Sequence, residues 1–502
     1  MFAAAFRGGS YPKGASESTI SRWETARGRA SYLTIRRYEE LLELSPGQLI
    51  AIADTIYRYA APAAAGPPVL SRGEAPPAGS PAQARLEEML ERALSSEPMS
   101  GWHWDELTGQ ISTMPSLLIV PSRFWFDVAT RLLEEMIVAD GLPWMQRFEA
   151  FNRLLGHPTG QQAAVAACVS LVGDPANQVF IEPVSVLDGS AHPDANRFVL
   201  GQLTRPTNER TRYGALLACV RKVRYGHFTQ AQLSGLVPAV SELLQNPESF
   251  ADAAALGVEL LRRMPAGLRT GAETGLRRAL ADDRHLHDVL SAGRLAARST
   301  SAVVVRRIVA AAAAELSRHA PGLTDNLLPV LVDEMLYAPV LDVRLYASML
   351  IRATPYAPAV AGALGAELNR PAVDGTLAAS LLWGVRVIGG VDQRPIVERL
   401  ILAPGLSPEV SEAAAQTIGH VGGASSDHFY LSAISQHSRS WRSHRARHSA
   451  AALTSLVYAL GIAQNLRLLA RVREDAEAPA PVRAAAGWWL SRPTRVYASA
   501  RR

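Results

Sequence analysis

The chain reads as an all-α protein in three parts: a small helical module, a Pro/Ala-rich linker and a large α-helical repeat solenoid. Three observations predict this. From about residue 205 onward, Ala- and Leu-rich stretches of helical spacing recur every 33 to 50 residues or so, each closed by Pro or Gly. Nowhere does a long stretch alternate apolar and polar residues as a half-buried strand does. The one β-like run, VFIEPVSVL at 179–187, is interrupted by Pro183. The chain is also 502 residues long and 48% apolar, too much for one small core.

The elements follow in order. In the module, 1–59, Gly14 marks a turn before a short helix. A helical wheel places Ser16, Ile20 and Trp23 on its inner face and turns Ser18, Thr19, Ser21 and Arg22 outward. Ile35, Tyr38, Leu41 and Leu42 have the spacing of a second amphipathic helix. Ser45-Pro46-Gly47-Gln48 reads as a capping box, with Ser45 as the cap and Gln48 reaching back. It opens a third helix with Leu49, Ile52 and Ile56 as its apolar stripe.

Residues 60–82 are rich in Pro, Ala and Gly and lack an apolar face, which predicts a disordered linker. The region 83–204 is less regular. Helices are expected at 84–94 and at 122–139, the latter burying Phe124, Val128, Leu132 and Met136. Trp102, Trp104, Trp125 and Trp144 are expected to pack in its core. Residues 205–502 form the repeat region, whose period and all-helical content imply a solenoid.

The residues KGASESTISRWETARGRASYLTIRRYEELLELSPGQL resemble the helix-turn-helix of the Cro/repressor-type (XRE) DNA-binding family, whose recognition helix has the form S/T-I-S-R-W/Y-E. Ile20, Trp23 and Glu24 match its inward positions. The resemblance implies base reading by Glu17, Ser18, Thr19, Ser21 and Arg22, with Arg22 placed to grip guanine. It implies phosphate contacts from Lys13, Arg27, Arg29 and Arg36. The family's Q-E-x-L-A segment has no counterpart in FAAAFRGGSYPKG, where Gly8, Gly9 and Pro12 stand in place of a regular helix.

The repeat units resemble HEAT repeats. Val343-Arg344 with Ala347, Val482-Arg483 with Ala484 and Ala485, and Pro408-Glu409-Val410 with Ala413 to Ala415 and Gly419 carry that likeness. Small residues let helix pairs approach closely while Leu, Ile and Val fill the shared core. The arginine after valine is expected to bond neighbouring turns. The Gly-Gly pairs at 389–390 and 422–423 read as helix stops.

Charge is unevenly spread. The first 37 residues carry seven cations against Glu17 and Glu24, which matches the net +5 of the whole chain and leaves the rest near neutral. Cations concentrated beside a reading helix are what counterion release asks of a DNA binder. Elsewhere, His437 to His448 contains Arg439, Arg442, Arg445 and Arg447 without an acid, a candidate anion- or partner-binding surface or an exposed basic turn. Asp282 to Asp288 reads as a solvated helix edge.

Only two lysines, Lys13 and Lys222, accompany many arginines, a pattern of a GC-rich bacterial genome. Cys168 and Cys219 lie in apolar surroundings and read as core residues. MFAAAFRGG is too short an apolar run for a signal peptide, and no stretch approaches 18 uncharged apolar residues, so a cytoplasmic location is expected. No hydrolase, P-loop, zincin or dinucleotide fingerprint occurs; no enzymatic activity, cofactor or metal is expected.

Together these readings predict a sequence-specific, DNA-binding transcriptional regulator. Its partners would be double-stranded DNA, a second copy of the chain as homodimer, and a protein on the solenoid, with no membrane. The alternative is an α-solenoid interaction scaffold with a degenerate helix-turn-helix.

Overall fold

The computed structural model describes residues 2–25, 27–60, 70–117, 121, 123–245, 253–279, 298–317, 326–370, 375–403, 406–445 and 447–500. Among them every regular element is a helix. The 179–187 run is no exception: it forms α10 and a 3-10 turn, because Pro183 fits an early helical position. Asp282 to Asp288 and residues 61–69 of the expected linker lie outside the described set; the rest of that linker is described, with Leu70 buried.

The module contains α1 (Phe2–Phe6), α2 (Glu17–Glu24), α3 (Tyr32–Leu41) and α4 (Gln48–Ala60). The body opens with α5 (Pro81–Leu94), α6 (Gly101–Ile111), α7 (Arg123–Ile137), α8 (Gly141–Gly156), α9 (Gln161–Gly173) and α10 (Ile181–Ser185). After the 3-10 turn Val186–Gly189 come α11 (Pro193–Thr204), α12 (Glu209–Tyr225), α13 (Gln230–Gln245), α14 (Ala253–Arg263), α15 (Ala266–Ala279) and α16 (Arg298–Ser317). Then follow α17 (Leu328–Tyr337), α18 (Leu341–Arg352), α19 (Ala357–Leu368), α20 (Gly375–Ile388), α21 (Arg394–Leu402) and α22 (Pro408–Thr417). The last are α23 (Asp427–His444), α24 (Arg447–Ile462), α25 (Leu466–Glu474), α26 (Ala480–Leu490) and α27 (Thr494–Ala500).

From α17 onward the helices alternate between two layers. α18, α20, α22, α24 and α26 each pack on the next of that series. Each also pairs with the helix just before it, α17, α19, α21, α23 and α25. This is the layering of a helical-repeat solenoid. The same alternation already runs through α7, α9, α10, α12 and α14, so the stacking begins well before residue 205.

Side chains explain the close stacking. Ala347, Ala414, Ala415, Ala452 and Ala486 of the inner helices are buried. A Cβ at Gly461 of α24 would fall 2.1 Å from the buried Trp489 ring of α26, so only glycine lets the indole lie on that helix. The Gly-Gly turns stack on each other: Gly422 donates to the Gly389 carbonyl at 3.2 Å. Arg394 ties neighbouring turns together, donating to Gly422 at 3.0 Å and Val421 at 2.5 Å. Of the expected valine-following arginines, Arg483 bonds the Ala478 carbonyl at 2.6 Å, and Arg344 lies over the Trp383 ring.

The end of the array returns to its beginning. α27 packs on α7, and Arg147 of α8 donates to Ser499 at 2.6 Å and to Met99 at 2.8 Å. His420, between α22 and α23, stands 2.6 Å from Asp140, the residue that opens α8. The main core runs without interruption from Leu86 to Ala500. Cys168 and Cys219 are buried in it, and burial pushes both thiols up, Cys219 to about 12.

Candidate nucleic-acid interface

Short-range forces shape α2 first. Ser16 is its N-cap, its hydroxyl accepting from Thr19 N–H at 3.2 Å, so Ser16 is exposed at the helix start and not on the inner face that the wheel gave it. Gly14 takes φ +72°, a left-handed turn that side-chain-bearing residues disfavour. Thr25 closes the helix, its hydroxyl donating to Ser21 at 2.6 Å. Gly28 N–H folds back onto the Arg22 carbonyl at 3.0 Å.

The inner side of α2 is anchored by aromatics. Phe6 is fully buried and its ring meets Tyr11 at 5.4 Å, Trp23 at 5.5 Å and Tyr38 of α3 at 5.3 Å. Ile20 is buried beside them. Arg37 of α3 donates to the carbonyls of Ala5 at 2.5 Å and Phe6 at 3.1 Å, capping α1. Tyr38 donates to Glu24 at 3.2 Å, and burial together with that carboxylate pushes its phenol up to about 12.

The outer side of α2 presents Glu17, Ser18, Ser21 and Arg22 to solvent, with Thr19 half-buried at its edge. Lys13, Arg27 and Arg29 are exposed around it. Arg36 stands apart: it is half-buried and its guanidinium lies 5.1 Å from the centre of the Trp102 ring, against the body.

The two following helices differ from their sequence reading. In α3 the buried residues are Thr34 and Glu39, while Leu42 is 52% exposed. Glu39, not Ser45, caps α4: its carboxylate accepts from Gly47, Leu49 and Ile50 N–H at 2.9, 2.6 and 3.0 Å. An ionised carboxylate matches the positive end of a helix better than a hydroxyl does. Burial raises the Glu39 carboxyl nonetheless, against those three donors.

In α4 the apolar stripe is Ile50, Ala51 and Ile52, and Asp54, Thr55 and Arg58 are buried with it. These three polar residues join α4 to the body. Arg72, on the described end of the predicted linker, donates to Asp54 at 2.7 Å and to Asp105 of α6 at 2.8 Å, and Arg153 of α8 pairs with the same two carboxylates. Thr55 donates to Glu149 of α8 at 2.8 Å. Arg58 donates to Glu149 at 3.0 Å and Asp342 of α18 at 3.4 Å, and stands 3.6 Å from Asp188. Arg221 of α12 approaches Asp342 at 2.6 Å and Asp188 at 3.0 Å. Burial raises the Asp342 carboxyl, but Arg221 and Arg58 hold it below its ordinary value; at Asp188 burial wins.

Sequence reasoning missed this network. The available signal was Asp54 and Arg58 inside an apolar stripe, one helical turn apart.

The arginine-rich run lies at the end of α23. Arg439, Arg442 and Arg445 are exposed; the Arg447 side chain lies outside the described set. Arg442 pairs with Glu477, and Arg445 takes φ +50° with its guanidinium 4.1 Å from the centre of the Trp441 ring. Cations at a helix carboxyl end also answer the dipole there. His448 stands 2.7 Å from Glu412.

Fold and surface together define an all-α repeat array carrying a small helical module whose short second helix turns a polar face outward. No family model matches the chain, and no curated protein matches it. Among solved structures it is similar to a crystal structure of an engineered protein, at 14% identity and a TM-score of 0.22, over 81% of this chain and 98% of that one. So low a score supports nothing about function. Among the described residues no helix is long and apolar enough to cross a membrane.

Proposed function

We propose that the protein is a sequence-specific DNA-binding transcriptional regulator of the XRE helix-turn-helix type, reading the major groove through α2. One observation carries the reading: Glu17, Ser18, Ser21 and Arg22 stand exposed together on a capped helix that Phe6, Trp23 and Tyr38 hold from behind. A groove-reading helix needs that division between a fixed inner side and free polar side chains. Lys13, Arg27 and Arg29 would grip phosphates beside it. Arg36, turned to Trp102, is a weaker choice for that task.

One short reading helix buries little surface, so a homodimer would supply two half-sites about one helical turn apart. The array would then hold the two copies together or receive a protein partner. The test is retention of fragments from the gene's own upstream region by the purified full chain. Salt-sensitive, sequence-selective retention that Arg22→Ala weakens supports the reading; no retention at low salt by folded protein overturns it.

The burial of α4 in the body favours a second reading, an α-solenoid scaffold in which the module is a structural part of the array. A folded protein that retains no DNA but recovers a defined partner is its expected signature.

A further inference from the structure

α4 carries the buried charge pairs of the junction between module and array, and Arg36 on Trp102 and Gln146, donating to the Pro46 carbonyl at 2.8 Å, add to that junction. Asp54, Thr55 and Arg58 follow one another along the helix, all three are buried, and their partners come from α8, α18, the 3-10 turn and Arg72. Below them Ala51 and Ile52 pack on Met145 of α8 and Met349 of α18, in a small cluster separate from the main core. Tyr225 of α12 closes the far end, its hydroxyl donating to the Arg58 carbonyl at 2.7 Å. α4 therefore fills the groove between an early and a late helix of the array. At its other end it is tied to α3 by Glu39, and α3 is tied to α2 by the bond from Tyr38 to Glu24.

We propose that α4 is a conformational clamp: docked between α8 and α18 it fixes the direction in which α2 points, and it releases as one unit when those helices move apart. Two physical features make the clamp all-or-none. Removing one partner from a buried charge group leaves an uncompensated charge, so half-docked positions of α4 are disfavoured. The face that would be freed mixes Ala51 and Ile52 with Asp54, Thr55 and Arg58, and water can take up the two charged groups once they leave together. A regulator would use such a joint to pass a change in the array to its reading helix; that use, but not the clamp, rests on the DNA-binding reading.

The test uses the full chain and the variants Arg58→Met and Asp342→Asn, which attack the joint from opposite sides. Hydrogen exchange should quicken about a hundredfold or more at the amides of 48–60 in Arg58→Met, with protection kept in 408–490. Asp342→Asn should give the same pattern more weakly. Unchanged exchange at 48–60, or an equal rise along the whole chain, overturns the clamp.

Direction is read separately, by spin labels at the exposed positions of Ser21→Cys and Ser435→Cys. Their distance distribution should be narrow with Arg58 present and broad in Arg58→Met. An identical distribution in both overturns the coupling to α2, whether or not the protein binds DNA. If the distribution broadens and no DNA is retained, the clamp stands and the regulator reading falls.

Discussion

Arg58 and Asp342 are 284 positions apart in the chain and stand 3.4 Å from each other inside the molecule. The same carboxylate receives Arg221 at 2.6 and 2.7 Å, so one aspartate joins the amino-terminal module, the middle of the array and its later half.

Asp342→Ala should therefore take an acceptor from two buried guanidinium groups at once, leaving Arg58 to Glu149 and Asp188 and Arg221 to Asp188. Breaking a buried pair from one side costs about 3–5 kcal/mol, so thermal unfolding should shift down by many degrees. Asp342→Asn should cost less, because an amide oxygen still accepts. Arg221 and Arg58 hold the Asp342 carboxyl below its ordinary value against burial. Its stabilisation is thus present above the unfolded pKa and lost as pH falls through the folded one, and the penalty of Asp342→Asn should shrink in acid.

Arg22→Ala tests the reading surface. The side chain is exposed, so the melting temperature should not move. Affinity for a cognate DNA site should fall by about 1–3 kcal/mol, roughly fivefold to 150-fold, if Arg22 grips a guanine. Replacing Lys13, Arg27 or Arg29 by Gln should instead weaken all sequences alike and lower the salt slope by about one for each contact. Binding isotherms at several salt concentrations separate the two behaviours.

Glu39→Ala removes the cap of α4 and leaves three N–H groups of Gly47, Leu49 and Ile50 without their acceptor. A loss of about 1–3 kcal/mol is expected from chemical denaturation, with Glu39→Gln in between. Equal stability of Glu39→Ala and the parent chain would remove the capping role.

Lys222 sets a pH signature. It is fully buried, donating to Ser190 at 2.5 Å and Asn196 at 2.8 Å, and burial pulls its ammonium down to about 8. Between about pH 8 and the ordinary lysine value, the unfolded chain holds a proton that the folded chain does not. Lys222 should therefore contribute a rise in stability with pH across that window, against the fall that the two buried thiols contribute, and the parent chain should gain stability relative to Lys222→Met as pH rises. Denaturant titrations at pH 7.5 and about pH 9.5 are sufficient to read it.

Gly461→Ala probes the stacking of repeats. The added Cβ would meet the buried ring of Trp489, a rigid neighbour, 2.1 Å away. Overpacking of this kind costs about 1–3 kcal/mol, and the tryptophan emission should change with it. The same change at Gly362, where a Cβ meets nothing within 4 Å, should be neutral or mildly stabilising.

Much of the fold was legible. The Val128, Leu132 and Met136 stripe, the helices at 341, 408 and 480 and the stop at Gly389-Gly390 follow from local spacing and turn chemistry, and the structure places them so, whereas α22 ends at Thr417 before Gly422 is reached. The inner anchors of α2, Ile20 and Trp23, were legible for the same reason. The cap of α4 was not: Ser45 has the right local pattern, yet Glu39 reaches the N–H groups of Gly47, Leu49 and Ile50 from the preceding helix with both carboxylate oxygens. The reading of Arg36 as a phosphate ligand likewise ignored Trp102, which no local rule connects to it.

The amino-acid sequence by itself determined that the regular elements of the described residues are helices, that these helices repeat, and that a short polar-faced helix lies near one end. Those properties depend on neighbours within a turn or two, where periodicity and capping chemistry are strong. Only the tertiary structure decided that α4 belongs to the array and that Asp342 is shared by Arg58 and Arg221. Buried charges are placed by which distant helices meet, and a carboxylate's distant partner is set by the path of the whole array, which no local window of residues encodes.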